Sequence, residues 1–254
     1  MKLKTSSKID ITMTAVIRPK ILNETLKSFC KRVFCDLDRF RLIINIDNVG
    51  EDSNPFNMIK ICHKFFKDVK WNIAVEPSFS KAVKWVWSQV ENDFVFHLED
   101  DWIIFRKIEF NNILRIMSKN SNIASIKLCN KKLKVINGVV VLGDLAYTPI
   151  NEFCIAIDKG RSMSLNPSLI RASFIKEVLP FMSDNVNPEK QLRKRNPLLK
   201  KIIMKYDYAI YGNPGDGALV YGKNGLNWRK NYGFSKVKKN FITWEGNVYG
   251  KDFL

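Results

Sequence analysis

Short apolar, β-branched segments alternate with amphipathic segments along the first half of this chain, and this alternation constrains the fold more than any other feature. Each apolar segment has the length of a buried strand, and apolar side chains in the segments between recur at spacings of three and four. The predicted strands are 9–17, 41–46, 71–75, 94–98 and 123–128, and the predicted helices are 55–67, 80–90, 108–119 and one beginning near Asn23. Such alternation predicts an α/β fold with a mostly parallel central sheet flanked by helices.

The second half of the chain gives weaker signals. Between 131 and 165 the clearest unit is a hairpin at Asn137, joining 133–135 to 139–142. Residues 168–182 are apolar on one face and are predicted to be helical. The C-terminal part is rich in Gly, Tyr and Trp, which favours loops and short strands that line a site.

Several common classes of protein are excluded by what the sequence lacks. No glycine-rich loop follows the first strand, which removes the Rossmann dinucleotide fingerprint and the Walker motif. No run of about 18 uncharged apolar residues occurs, and residues 1–8 are basic without the apolar stretch of a secretory signal. We therefore expect a cytoplasmic protein without a transmembrane segment.

The chain carries a formal net charge of +17, from 42 basic and 25 acidic residues. Such a field attracts polyanions, so nucleic acid or an anionic membrane surface is a plausible partner. AT-rich codon usage is the alternative explanation, and it accounts for abundant Lys better than for scarce Asp and Glu. The residues predicted to follow a phosphate backbone are Arg193, Lys194, Arg195, Lys200 and Lys201, although basic clusters are also common on solvated helix faces.

Acidic residues lie where two predicted strands end. Asp47 follows the second strand in a predicted loop, and Glu99, Asp100 and Asp101 follow the fourth. Because ligands bind beyond the carboxyl ends of such strands, the chemistry should gather at these residues and at Arg18. Three consecutive carboxylates suit Mg²⁺ or Mn²⁺ shared with a nucleotide diphosphate. A solvated acidic loop is the alternative for the trio, and a turn or helix cap for Asp47.

The order of these parts resembles the GT-A glycosyltransferases, in particular their family-2-like branch. The resemblance rests on residues 14–19 at the first strand, 45–47 at the second, and 98–101 at the strand that carries the family's D-x-D motif. It covers 9–130 well and continues more weakly through 165–169, 188–189 and the Gly/Trp-rich end. It implies a single GT-A domain over 1–254, with 9–130 binding a nucleotide sugar, a UDP-sugar first, and 131–254 binding the acceptor.

The resemblance also implies roles for the acidic residues. Asp47 would contact the base, Glu99 or Asp100 the ribose, and Asp101 the metal, with Asp100 as a further ligand. Arg18 would lie near the base or the diphosphate. The chain departs from the family in having Glu at the first motif position and no histidine near the C-terminus, which leaves the completeness of the metal shell open.

A carboxylate is needed to take the proton from the acceptor hydroxyl if the transfer inverts configuration. Glu189 is the first candidate, since it lies where family members carry the Glu or Asp that opens an acceptor-side helix. A Glu after Pro188 is also a common way to stabilise a helix N-terminus. Asp216, in a glycine-rich loop, is the second candidate, and Asp184 and Asp207 are further substitutes.

The segment 222–230 joins cations, glycines and an aromatic residue. Lys223, Trp228 and Arg229 are therefore predicted to close over the diphosphate and stabilise its charge. A basic surface loop anchored by Trp228 is the alternative interpretation.

The acceptor is predicted from charge to be a hydroxymethylated base in DNA, as in the enzymes with which phages glycosylate their genomes. Trp228, Tyr232 and Trp244 could serve as aromatic wedges that help to expose the base. The same transferase acting on a surface glycan or lipid-linked acceptor is the first alternative. A non-catalytic nucleic-acid-binding protein on a degenerate transferase scaffold is the alternative of another class.

Overall fold

The computed structural model describes residues 8–137, 139–142, 145–151, 154–157, 163–222, 224–232, 235–238 and 242–245. The strands are β1 (Ile9–Ile17), β2 (Phe40–Gly50), β3 (Val69–Ala74), β4 (Phe94–Glu99), β5 (Ile103–Ile104), β6 (Ile123–Leu128), β7 (Lys134–Ile136), β8 (Val139–Leu142), β9 (Leu145–Asn151), β10 (Cys154–Ile157), β11 (Ser168–Arg171), β12 (Asp207–Tyr211), β13 (Val220–Tyr221), β14 (Ser235–Lys238) and β15 (Ile242–Glu245). The helices are α1 (Pro19–Arg32), α2 (Phe56–Phe65), α3 (Phe79–Ser88), α4 (Phe110–Lys119), α5 (Ala172–Val178), α6 (Pro188–Lys190), α7 (Pro197–Ile203) and α8 (Asn224–Tyr232). A π-helical turn, Gln191–Arg195, continues α6.

The central sheet has the strand order β3-β2-β1-β4-β11-β6-β12. Strands β3, β2, β1 and β4 are parallel, and so are β6 and β12, whereas β11 is antiparallel to both neighbours. The sheet continues past β12 through the antiparallel strands β10, β9, β8 and β7. The predicted α/β fold with a mostly parallel central sheet is confirmed.

Helices flank the central sheet, which explains why β1 is buried along its whole length although it contains polar residues. All nine residues of β1 are buried. On α1, Leu22, Leu26 and Phe29 repeat at helical spacing and are fully buried, so one face of that helix packs into the core. Burial of side chains of this size contributes roughly 1.5–3 kcal/mol each.

Several predicted boundaries are close to those observed. β6 covers the predicted residues, whereas α1 begins at Pro19, four positions before Asn23. Proline is well suited to the first helical position, where its missing N–H costs no hydrogen bond. β2 continues to Gly50, so Asp47 lies within a strand and the loop predicted there is wrong.

The helix predicted over 168–182 is also wrong at its start. Ser168–Arg171 forms β11 between β4 and β6, and the helix covers only Ala172–Val178. A segment of four residues is too short to show a distinguishing period, and here the backbone pairing offered by two neighbouring strands decides its conformation.

The stretch 131–165 is more regular than predicted, because it supplies four strands to the sheet. The hairpin at Asn137 is confirmed by the pairing of β7 with β8, and Asn137 has a left-handed φ of 50°. Gly138 lies outside the described residues. β11 and β12, from the predicted acceptor-binding half, belong to the same sheet as β1 and β4.

None of the described helices combines the length and the apolar character that crossing a membrane requires.

Candidate active site

A cleft opens at the carboxyl ends of β1, β2 and β4. Main-chain and side-chain atoms of β1 form its floor, and Phe79, the first residue of α3, forms one wall. The predicted site residues that line it are Arg18, Asp47, Glu99, Asp100, Asp101 and Arg229.

The strand register explains why residues so far apart in sequence meet here. Thr14 of β1 lies opposite Asn45 of β2 on one side and opposite Glu99 of β4 on the other. Because the three strands are parallel, their next residues reach the same edge of the sheet together. Asp47 and the acidic trio are thereby brought to one edge.

Arg18 and Asp100 form a buried ion pair below the cleft. Arg18 Nε donates to Asp100 Oδ2 at 3.0 Å, and Nη2 donates to Oδ1. The backbone N–H of Val16 also donates to Asp100 Oδ2, and Thr25 donates to its backbone carbonyl. Burial raises the pKa of the Asp100 carboxyl, and the Arg18 guanidinium opposes that rise. Both oxygens of Asp100 are thus engaged within the protein, and its predicted role as a metal or ribose ligand would require it to exchange Arg18 for that ligand.

Asp101 is placed differently from its neighbour. Its side chain is 19% exposed and lies 3.7 Å from Arg18 Nη1. Gly225 of α8 packs against it so closely that a Cβ at position 225 would collide with Asp101 and Arg18. Among the described residues, no group of three His, Cys, Asp or Glu side chains could hold a metal by itself. Mg²⁺ and similar cations are commonly held by one or two carboxylates together with substrate phosphates and water, so Asp101 fits as a single protein ligand.

A chain of amides runs across the sheet to Asp47. Asn72 Nδ2 donates to Asn45 Oδ1 at 2.7 Å, and Asn45 Nδ2 donates to Asp47 Oδ1 at 3.1 Å. Asn45 is 1% exposed and Asp47 is 4% exposed. Sequence reasoning assigned no role to Asn45 or Asn72. The feature that could have identified them is a pair of polar residues at inward-facing positions of neighbouring strands. This pairing can be recognised only when the strand register is known.

Residues 224–232 form helix α8, so the loop predicted around Trp228 is wrong. The Trp228 ring is 4% exposed, packs with Val16 and Val49, and donates from Nε1 to Glu51 Oε2 at 2.6 Å. The Arg18 guanidinium carbon lies 5.2 Å from the centroid of this ring. Trp228 therefore anchors α8 over the ends of β1 and β2, which brings Arg229 into the cleft. Lys223 lies outside the described residues.

The two predicted proton acceptors are not among the residues that line the cleft. Glu189 lies in the first turn of α6, where Asn187 caps the helix, and is 3.5 Å from Arg193. The segment before it packs on α3 through a hydrogen bond from Ser80 Oγ to the Val186 carbonyl. Asp216 is half exposed and pairs with Arg106 at 2.8 Å. Val186, three positions before Glu189, therefore lies beside the start of α3.

The predicted phosphate-binding residues occupy α7 and the turn before it. Lys200 and Lys201 are exposed on α7, and the Arg193 side chain is 53% exposed. Lys194 and Arg195 belong to the π-helical turn, but their side chains, like that of Trp244, lie outside the described part of the structure.

No protein-family model and no curated protein matches the sequence. Solved structures do match it in fold. The mannosyltransferase PcManGT from Pyrobaculum calidifontis, in complex with GDP-Man and Mn²⁺, is similar with a TM-score of 0.54 and 9% identity over 85% of this chain and 59% of that one. S. aureus TarS 1-349 in complex with UDP-GlcNAc is similar with a TM-score of 0.52 and 14% identity, over 83% of this chain and 57% of that one.

A second TarS structure has a TM-score of 0.52 and 16% identity, over 83% of this chain and 36% of that one. The chain thus spans less than two thirds of the length of each of these structures. At such low identity the likeness concerns the fold, and the GT-A fold expected from the sequence resemblance is confirmed.

Proposed function

We propose that this protein is a glycosyltransferase that moves a sugar from a nucleotide sugar, a UDP-sugar first, to an acceptor hydroxyl. The observation that carries the proposal is the convergence of Asp47, Glu99, Asp101 and Arg229 on one cleft at the carboxyl edge of a GT-A sheet. The similar structures described as complexes with UDP-GlcNAc, and with GDP-Man and Mn²⁺, support a donor of this class.

Each cleft residue has a role in this proposal. Asp47, held by the Asn45 amide, accepts a hydrogen bond from the donor base, and Glu99 accepts from the ribose. Asp101 holds a divalent cation, which supplies positive charge to the diphosphate leaving group. Arg229 adds a second positive charge from α8, and Arg18 partly neutralises Asp100 and Asp101.

Glu189 is proposed to take the proton from the acceptor hydroxyl, because α6 packs beside the start of α3 next to the cleft. Its carboxylate lies 3.5 Å from the Arg193 guanidinium, which would have to release it for the acceptor hydroxyl to approach. Asp216 remains the second candidate, and its pairing with Arg106 would have to open for it to act.

The finer proposal for the acceptor is a hydroxymethylated base in DNA, supported by the net charge of +17 and by the exposed lysines of α7. A surface glycan or lipid-linked sugar is the competing acceptor. Parallel transfer assays with a modified oligonucleotide and with a lipid-linked sugar, each with a radiolabelled donor, separate these two acceptors.

Donor binding is tested by thermal unfolding with a panel of nucleotide sugars, with and without Mn²⁺. A donor at about 100 times its Kd stabilises the folded state by roughly 2.7 kcal/mol, so a true donor raises Tm clearly. We expect Asp101→Asn to abolish the Mn²⁺-dependent part of the shift, and Asp47→Ala to weaken the shift with or without metal.

Asp38→Asn is the matched control, since it removes the same charge from an exposed pair with Lys67 in the turn that precedes β2. If no nucleotide sugar stabilises the wild-type protein, the transferase proposal is wrong. If Asp101→Ala left function unchanged while charge reversal in residues 190–201 abolished it, a non-catalytic nucleic-acid-binding protein would be the better description.

A further inference from the structure

We propose that a second pocket, outside the donor cleft, binds a neutral saccharide. The pocket lies between the start of α1, the segment that follows β2 and the end of α8, and it has a volume of about 450 Å³. Pockets that hold small ligands commonly measure roughly 300–1,000 Å³. The residues that line it, all different from those of the donor cleft, are Pro19, Lys20, Glu51, Asp52, Ser53 and Tyr232.

Tyr232 gives this pocket an aromatic ring that is exposed and yet held in place. The residue is 52% exposed, and its ring stacks on that of Trp228 with centroids 5.5 Å apart and planes inclined by 27°. Its hydroxyl is hydrogen-bonded to Glu51, which also accepts from Trp228 Nε1 at 2.6 Å. A ring fixed in this way offers apolar contact area to a ligand at low cost in conformational entropy. The apolar C–H face of a sugar ring suits such a surface.

The two carboxylates of the pocket already accept hydrogen bonds from the protein. The bonds from α8 engage Glu51. Asp52 Oδ1 accepts from the Asn54 N–H at 2.9 Å, and Asp52 Oδ2 accepts from Asn57 Nδ2 at 2.7 Å. Because an ionised carboxylate has about four lone-pair positions, each group keeps room for a further donor. The pocket can therefore accept from ligand hydroxyls without needing a cation to neutralise it.

Lys20 adds a positive charge to the same pocket. It is exposed at the second position of α1, and no carboxylate in the described part of the chain forms an ion pair with it. Vicinal hydroxyls can bridge Lys20 and the two carboxylates, because each hydroxyl both donates and accepts. A phosphate would be repelled by Glu51 and Asp52, and an amine by Lys20. A neutral ring with several hydroxyls is thus the ligand that all of these groups accept.

This ligand has two possible sources, which are a free sugar and a unit of a saccharide acceptor that lies away from the reacting hydroxyl. The pocket adjoins the donor cleft, since Pro19 follows Arg18, a residue of the cleft lining. The Trp228 ring contacts both the Arg18 guanidinium, 5.2 Å from its centroid, and the Tyr232 ring. An oligosaccharide is long enough to reach from one site towards the other, whereas a single sugar occupies only the pocket.

The test uses the full chain, fluorescently labelled, without donor or metal, on an array of single sugars and oligosaccharides. The array carries neutral, sulfated and amino sugars. We expect binding to neutral members. Equal binding of single sugars and oligosaccharides would identify a free sugar as the ligand, and a gain with chain length would identify an acceptor chain. If no neutral member binds, or if binding requires sulfate or an amino group, the proposal is wrong.

Variants locate the binding on the protein, with the best neutral member titrated by isothermal calorimetry. Lys20→Met removes one charged hydrogen-bond donor, and Tyr232→Ala removes the ring. We expect each change to weaken binding about tenfold or more, the size of effect that follows the loss of a hydrogen bond to a charged group. Lys119→Met and Phe181→Ala are the matched controls, at exposed positions on other elements. Unchanged affinity in both pocket variants would overturn the site.

The saccharide site and the transferase proposal can fail separately, because the array contains no donor. Lys20→Met should also keep the donor-induced rise in Tm, since Lys20 does not line the donor cleft. Loss of both saccharide binding and the donor shift in Lys20→Met would mean that the pocket is not a separate site. A donor shift that is absent already in wild type would count against the transferase proposal alone.

Discussion

Asp100 and Asp101 are adjacent in sequence, and we expect their loss to have opposite consequences. Asp100→Asn removes the charge that faces Arg18 across two hydrogen bonds, while the guanidinium stays buried with 6% of its side chain exposed. Breaking a buried ion pair on one side costs about 3–5 kcal/mol. The Asn carbonyl can still accept one N–H, and the repulsion between Asp100 and Asp101 is relieved, so we expect the lower end, about 3 kcal/mol.

Asp101→Asn should cost less than about 1 kcal/mol, because that carboxylate is partly exposed and 3.7 Å from one guanidinium nitrogen. Urea unfolding followed by circular dichroism measures both variants. With a slope of roughly 3 kcal/mol/M, Asp100→Asn should lower the midpoint by about 1 M, and Asp101→Asn should hardly move it. The stabilisation by a donor with Mn²⁺ should change in the opposite order. It should be larger for any Asp100→Asn protein that remains folded than for Asp101→Asn. Equal midpoints for the two variants would refute the assignment of Asp100 to Arg18.

Two further predictions concern α8 and His97. Gly225→Ala should displace α8, because the added Cβ collides with Asp101. We expect this displacement to weaken donor binding at least tenfold, measured by thermal shift. Leu226→Ala, at the exposed neighbouring position, should leave donor binding unchanged. Burial lowers the pKa of His97 from 6.5 to about 3. The unfolded chain therefore binds more protons in that interval, and unfolding free energy should fall by up to about 1.4 kcal/mol per pH unit as pH drops below 6.5. Urea midpoints of His97→Gln should depend less on pH than those of wild type between about 6.5 and 5.5, where ordinary carboxyl groups are still mostly ionised; an unchanged slope would contradict the burial of a neutral imidazole.

The sequence predicted the strands and helices best where a long segment had a clear period. β1, β6 and the amphipathic α4 are recovered within two residues at each end, because their apolar positions repeat over enough length to exclude the other period. β11 was missed because four residues, of which only Leu169 and Ile170 are apolar, carry no period. α8 was missed because its sequence, with a glycine at its second position, has weak helix propensity and is held in place by Trp228.

The sequence predicted where the acidic residues of the site lie, but not which ion pairs and hydrogen bonds they form. Asp47 and the acidic trio could be placed at one edge because parallel strands share a carboxyl end, and this needs only the order of elements. Two pairings could not be predicted because they depend on distances between segments that are far apart in sequence. One is the ion pair of Arg18 with Asp100, and the other is the support of Asp47 by Asn72 through Asn45.

The amino-acid sequence alone determined the α/β class, the first strands and the acidic edge, because periodicity and strand ends are local properties. Only the tertiary structure decided that Asp100 is committed to Arg18, while Asp101 lies against Gly225 of α8. Both residues lie in the turn after β4, so their environments are set by what packs on that turn, which is Arg18 at Asp100 and α8 at Asp101. That packing arises from segments more than fifty positions away, which no local pattern encodes.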